Sequence, residues 1–386
     1  MTREAGNEGF GSLPSRHLTY TACAGQTARW ARERTTLTEN EVTTIACDES
    51  ASEGENLMGS THPVFVHASV NLTVDEALEF RDNLRAATKT QASELKSKTA
   101  LAPANRSALL IAMATLDGVG NIHLVDKSYF LTAKLIDLLV AARGDEYGLD
   151  VALSGLGRQL ADYLHHSGPS AIGASRWNAV LSTYNGLIRS YLRAGALPPT
   201  VQPFFDALDD ARRNCADAQV ERILEAIWDA RHLTFAYEGA SPVELRELDP
   251  MAPSLVAVSM TWHMRLGELP FEFLADNYSG LTEVVRDSIV ASARGPLSVG
   301  SVELPRADLR GIRLIDSKLD ARVQVADILA GVGREVAQLA MGGTFDNELQ
   351  DVVHRMLDYN VMASSGSPLD RLIDRKPLRY LQEWSY

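Results

Sequence analysis

The chain has 386 residues, 45% of them apolar and 23% charged, with a formal net charge of −13. That length and apolar content suit one large domain or two and exclude disorder throughout, and the acidity excludes a general electrostatic attraction to nucleic acid or an anionic membrane. Three scattered cysteines, Cys23, Cys47 and Cys215, provide neither a disulfide framework nor a Cys-based zinc site.

The longest apolar runs, such as Ala108–Leu116 and Leu135–Ala142, fall short of the roughly 20 residues a membrane-spanning helix needs. Residues 1–40 mix charges, Gly and Thr without the apolar stretch of a signal peptide, and read as an N-terminal tail. The expected location is the cytoplasm.

The first element is a strand, Thr43–Asp48, built on β-branched residues and stopped by the polar run Asp48-Glu49-Ser50. Pro63–Leu72 is a second strand, forming a hairpin with the first. Thr73–Ala87 has helical spacing, with Thr73 and Glu76 as a capping box. A polar segment follows, then a helix over Asn105–Leu116 ended by Gly118-Val119-Gly120, a strand over Asn121–Lys127 and a helix over Tyr129–Ala142.

From Leu149 to Leu233 only helical patterns occur: Val151–His166, Ala174–Ala194 and, after Pro198-Pro199, Phe204–Arg231. With the helix Pro250–Leu266, this block reads as an all-helical insertion at about 145–268. Pro270–Asp276 is then a strand ending in an acid, as the first one does. Leu281–Ala293 is a helix, Gly295–Leu309 a loop, Gly311–Ser317 a further strand ending in an acid, and Ala321–Leu339 a long helix. A helix over Leu349–Leu357 opens a C-terminal helical extension, 341–386, whose aromatic end Leu378–Tyr386 is expected to dock on the body.

In the helix Ala321–Leu339, Val325, Ile328, Leu329 and Val332 form an apolar stripe beside a polar and small one of Gln324, Asp327 and Gly331. Ala330 and Gly331 would let this helix approach the strand ends closely. An Asp inside an apolar helix is costly unless something compensates it. Asp48, Asp276, Asp316 and Asp327 therefore share a grammar of acids delivered by strand ends and one helix. Of these, Asp316 also suits a capping role before the next helix. Hard oxygen donors without His or Cys suit Mg2+ or Mn2+, and a pair of such ions serves phosphodiester hydrolysis.

His67 and His123 fall in strands and read as packed residues, while His165-His166 lacks acids at ligand spacing. No Gly pair follows a strand into a phosphate-binding turn, and no Ser sits in a G-x-S-x-G elbow.

The motifs I-x-x-D-E-S at 45–50, S-E-L-K-S at 93–97, V-D-K at 125–127, L-A-D at 274–276 and I-D-S-K…V-Q-V-A-D-I-L-A-G at 315–331 resemble the family known as domain of unknown function 3800, which is considered ribonuclease H-like. The resemblance spans about residues 42–340, interrupted by the helical block. It departs from the family where the glycine usual after D-E-S is Ala51.

The resemblance implies a ribonuclease H-like α/β domain over 41–340, a mixed sheet flanked by helices; the large all-helical insertion is read from the helical pattern and is a second departure from the family. Asp48 on a central first strand, Asp276 at a later strand's end and Asp327 on the closing helix would be the metal-binding carboxylates. Glu49 and Glu94 are candidates for a fourth catalytic carboxylate, and Lys96 and Lys318 for phosphate contacts. The implied activity is a metal-dependent nuclease acting on RNA or DNA with Mg2+ or Mn2+. The alternative is a catalytically silent binding module, or a partner-activated effector, acting through the helical block. The apolar faces of that block are also expected to support a homo-oligomer.

Overall fold

A six-stranded mixed sheet, in the order β7 (Leu309–Ile315), β4 (Phe271–Asp276), β1 (Thr43–Ser50), β2 (Val64–Val70), β3 (Gly120–Asp126) and β8 (Val361–Met362), divides the molecule into two helical layers. The computed structural model describes residues 42–90, 95–151, 155–188, 200–238, 248–299, 302–304, 306–357 and 361–373. The expected N-terminal tail, Glu94 and the aromatic end Leu378–Tyr386 lie outside the described residues.

β1 (Thr43–Ser50), β2 (Val64–Val70) and β3 (Gly120–Asp126) pair antiparallel in succession. β4 (Phe271–Asp276) joins the other side of β1 in parallel, and β7 (Leu309–Ile315) continues in parallel beyond it. β1 is thus an inner strand with both edges hydrogen-bonded. Parallel pairing needs long crossovers, and the helices between β3 and β4, and between β4 and β7, supply them.

Side chains alternate across the sheet with the two-residue period of a strand. Ile45, Cys47, Phe65, Phe271 and Phe273 face one core, and Ala46, Val66, Ala68 and Leu274 face the other. Phe271 and Phe273 are fully buried, which stabilises the fold by about 2–3 kcal/mol each.

The first core is closed by α3 (Lys127–Leu135), α4 (Leu156–Ile172), α5 (Ala174–Ile188), α6 (Gln202–Arg213), α7 (Ala218–Asp229), α8 (Met251–Leu266) and α9 (Glu283–Arg294). The second is closed by α1 (Val74–Thr88), α2 (Arg106–Ala114), α10 (Ala321–Met341) and α11 (Asn347–Leu357). The block of helices between β3 and β4 therefore forms most of one layer and shares its core with the sheet. No helix among the described residues is long and apolar enough to cross a membrane.

α1 begins with the expected capping box: Thr73 Oγ1 accepts from Glu76 N, and the Glu76 carboxylate accepts from Thr73 N at 2.7 Å. β1 runs two residues past its expected end, because Glu49 and Ser50 remain paired with His67 and Val66 of β2. The single helix expected over Phe204–Arg231 is two helices, since Asp217 accepts from Gln219 N at 2.9 Å and Val220 N at 2.8 Å and so caps the start of α7. The segment expected as a loop over Gly295–Leu309 contains β5 (Leu297–Val299) and β6 (Val302–Leu304), an antiparallel hairpin apart from the main sheet.

α10 lies over β1 and β2, and small residues set how close it comes. A Cβ on Gly333 would stand 2.9 Å from Ile122 Cγ2 and 3.0 Å from Val66 Cγ1. The residue that meets the strands is therefore Gly333. Gly331, the expected one, instead receives the turn at Ser97, whose Cβ would lie 2.2 Å from a Cβ added there.

Candidate carboxylate site at the ends of the central strands

Cys47 of β1 stands level with Ala275 of β4. One residue further along each strand, Asp48 and Asp276 come side by side on the face occupied by α10, the face shared by Ala46 and Leu274. Neighbouring parallel strands thus deliver two carboxylates to one place, and α10 brings Asp327 over them.

The electrostatics record this convergence. Burial raises the Asp48 carboxyl to about 9, with the charges of Glu49, Asp327 and Asp276 adding to it. Burial also raises Glu49, to about 7, with Asp276, Asp249 and Asp327 contributing. Asp48 is only 9% exposed. The single hydrogen bond to its carboxylate among the described residues is from the adjacent Glu49 N at 2.8 Å, and it forms no ion pair there. A buried carboxylate among like charges holds a proton or takes a cation.

Backbone groups hold two of the acids in place. Asp276 Oδ1 accepts from Asn277 N at 2.8 Å and from Ser317 N at 3.0 Å, which ties the end of β4 to the turn after β7. Ser317 O in turn accepts from Gln324 Nε2 at 2.9 Å. Asp327 Oδ2 accepts from Ser97 N at 3.3 Å. Asp316 caps the same turn by accepting from Lys318 N at 3.0 Å.

Lys96 and Lys318 are exposed, and each is the sequence neighbour of a serine whose N–H holds a site acid, Ser97 for Asp327 and Ser317 for Asp276. Both lysines therefore stand at the rim of the cluster. Glu94 is outside the described residues.

Asp249 also belongs to this cluster, although the sequence does not mark it as a site residue. This residue is 7% exposed and contributes to the raised Glu49 carboxyl. Its Oδ1 accepts from Met251 N at 3.0 Å and its Oδ2 from the Tyr278 hydroxyl at 2.7 Å. Burial and the Asp249 charge hold the Tyr278 phenol well above its usual range. Gly280 leaves room for this pair, since a Cβ there would stand 2.2 Å from Tyr278 Cε1 and 2.8 Å from Asp249 Oδ2. In sequence, an Asp just before Pro250 and a helix carries only a capping signal, so its place in the cluster had no local signature.

In donor chemistry the cluster suits a hard divalent cation, since it offers carboxylate oxygens and no His or Cys. Among the described residues, no three His, Cys, Asp or Glu side chains converge on a common ion position. The acids form an electrostatic cluster, not a closed coordination shell. No family model, curated protein or solved structure matches this chain.

Proposed function

We propose that this chain is a divalent-cation-dependent nuclease with a ribonuclease H-like core, hydrolysing phosphodiester bonds of RNA or DNA. The observation that carries the reading is the buried Asp48, on an inner strand, facing Asp276 and Asp327 without a cationic side chain to neutralise it. Support also comes from the order of parts: a central first strand, a later parallel strand and a closing helix each bring one acid, as the sequence resemblance implies.

Asp48, Asp276 and Asp327 would hold Mg2+ or Mn2+. Once bound, such ions activate a water and stabilise the leaving oxygen of a phosphodiester. The Ser317 and Ser97 N–H groups orient Asp276 and Asp327. Glu49, titrating near neutral pH, is suited to take up or release a proton beside them. Lys96 and Lys318 at the rim would meet substrate phosphates.

The test is hydrolysis of single- and double-stranded RNA and DNA by the full chain in Mg2+ or Mn2+, with Asp48→Asn and Asp327→Asn as controls. Each substitution is expected to lower the rate at least ~100-fold, as for loss of an electrostatic catalytic group. Rates unchanged in both variants would refute the mechanism.

One observation favours a second reading, a silent binding module or partner-activated effector: among the described residues, no three acids converge on one ion position. That reading expects Mn2+ binding without turnover on any nucleic acid. The nuclease reading expects both.

A further inference from the structure

α10 carries a cation on the same side as its acid. Asp327, Gly331 and Arg334 follow one another at intervals of four and three, so they line one face of the helix. Arg334 Nη1 donates to Ser50 Oγ at 3.0 Å. Ser50 is 9% exposed and lies two residues beyond Asp48 on β1, hence on the same face of the sheet. The guanidinium therefore sits at the end of the strand that bears the central carboxylate.

Arg334 differs from Arg322 on the same helix and from Arg313 on β7. Arg322 is paired with Asp320 at 2.7 Å, and Arg313 with Glu272 at 2.6 Å. Arg334 has no ion pair among the described residues, and its Nε is buried without a hydrogen-bond partner. A half-buried guanidinium held only by a hydroxyl bears a desolvation cost that an anion would offset. With one of its five donors engaged, it retains the planar fork that recognises phosphate.

We propose that Arg334 and Ser50, two helical turns along α10 from Asp327 and two residues beyond Asp48 on β1, form an anion subsite that anchors a phosphate of a nucleotide chain held at the carboxylates. This deepens the nuclease reading, from which the polynucleotide source of the phosphate is taken. The subsite also gives an acidic protein a local cation at the place where substrate is to be held.

The experiment has two arms, each comparing wild type with Arg334→Gln, Arg334→Lys and Ser50→Ala. In the first, inorganic phosphate is titrated and its phosphorus resonance followed. Saturable broadening in wild type that is lost in Arg334→Gln is the expected result. In the second, a fluorescent single-stranded oligonucleotide is bound in Ca2+ over a range of salt. Arg334→Gln is expected to weaken binding roughly 10- to 100-fold, as for one lost charge-assisted hydrogen bond. It is also expected to reduce the slope of log K against log salt by about 0.7, one phosphate contact on a single strand. Arg334→Lys keeps that slope and binds at intermediate strength.

Phosphate binding without oligonucleotide binding would uphold the subsite and count against the nuclease reading. No phosphate-dependent broadening in wild type, or wild-type affinity and slope in Arg334→Gln, would overturn the subsite. Weakened oligonucleotide binding with an unchanged salt slope would also overturn it, since packing and not charge would then be responsible. Thermal melting of the variants separates this from loss of fold.

Discussion

Glu49 and His67 face each other across the β1–β2 ladder, and His67 in turn faces His123 across β2–β3. Three titratable groups thus form a row across the sheet, beginning at the carboxylate cluster. Burial, and then His123, drive His67 down to about 3. In the unfolded chain a histidine titrates near 6.5.

This gives the acid limb a definite sign. Below pH 6.5 the unfolded state takes up a proton that native His67 refuses, so stability is lost as pH falls from about 6.5 to 3, at up to about 1.4 kcal/mol per pH unit. His67→Leu is expected to flatten that dependence, measured as urea midpoints at pH 7, 6, 5 and 4. An unchanged pH profile in the variant would show that His67 is not the group responsible.

Asp48 acts in the opposite sense. Its native carboxyl is raised from 3.8 to about 9, so the native state binds more protons than the unfolded one across that range, and stability falls as pH rises. Between pH 4.5 and 6.5 Asp48 and Glu49 together oppose His67; above 6.5 the Asp48 slope continues towards pH 9, opposed from about pH 8 by Lys127, whose ammonium is lowered to about 8 by burial. In chelator-treated protein at pH 8, Asp48→Asn is expected to stabilise the fold by ~2 kcal/mol or more. Adding Mn2+ should raise the melting temperature of wild type more at pH 8 than at pH 6, since the cation competes with protons. An equal Mn2+ effect in Asp48→Asn would place the ion elsewhere.

Immediately after β1, Ala51 has φ +61°, in the left-handed region where a Cβ is strained. A glycine at this position would relieve that strain. Ala51→Gly is expected to stabilise the protein by ~0.5–1 kcal/mol, the strain relief being partly offset by added unfolded-state entropy. Denaturant titration gives the sign directly, and destabilisation would mean that the turn holds Ala51 without strain.

Gly331 and Ser97 form the contact on which the Asp327 orientation depends. Gly331→Ala would push Ser97 away, because the new Cβ would lie 2.2 Å from Ser97 Cβ, and the overpacking is expected to cost ~1–3 kcal/mol. The Ser97 N–H would leave Asp327 at the same time. Ser97→Gly in the same chain should restore both stability and Mn2+ affinity. If the double variant is no better than Gly331→Ala alone, the crowding lies elsewhere.

Local features of the sequence carried far. The strand at β1, the capping box of α1 and the long helix with Asp327 were legible because each depends on neighbours within a few residues. The segment Gly295–Leu309 was not, since three-residue strands are too short to show a period and their pairing is decided by the partner strand. The division of Phe204–Arg231 depended on Asp217 acting as a cap, which its composition alone did not separate from a surface helix position.

The sequence by itself determined which strands and helices end in or bear carboxylates, and that the donors are hard oxygens. Tertiary structure decided their company. Strand register brought Asp48 level with Asp276, helix packing set Asp327 above them, and a distant helix start added Asp249. It also placed Arg334 against Ser50. Charge interactions depend on distance through space and on burial, and neither is fixed by separation along the chain.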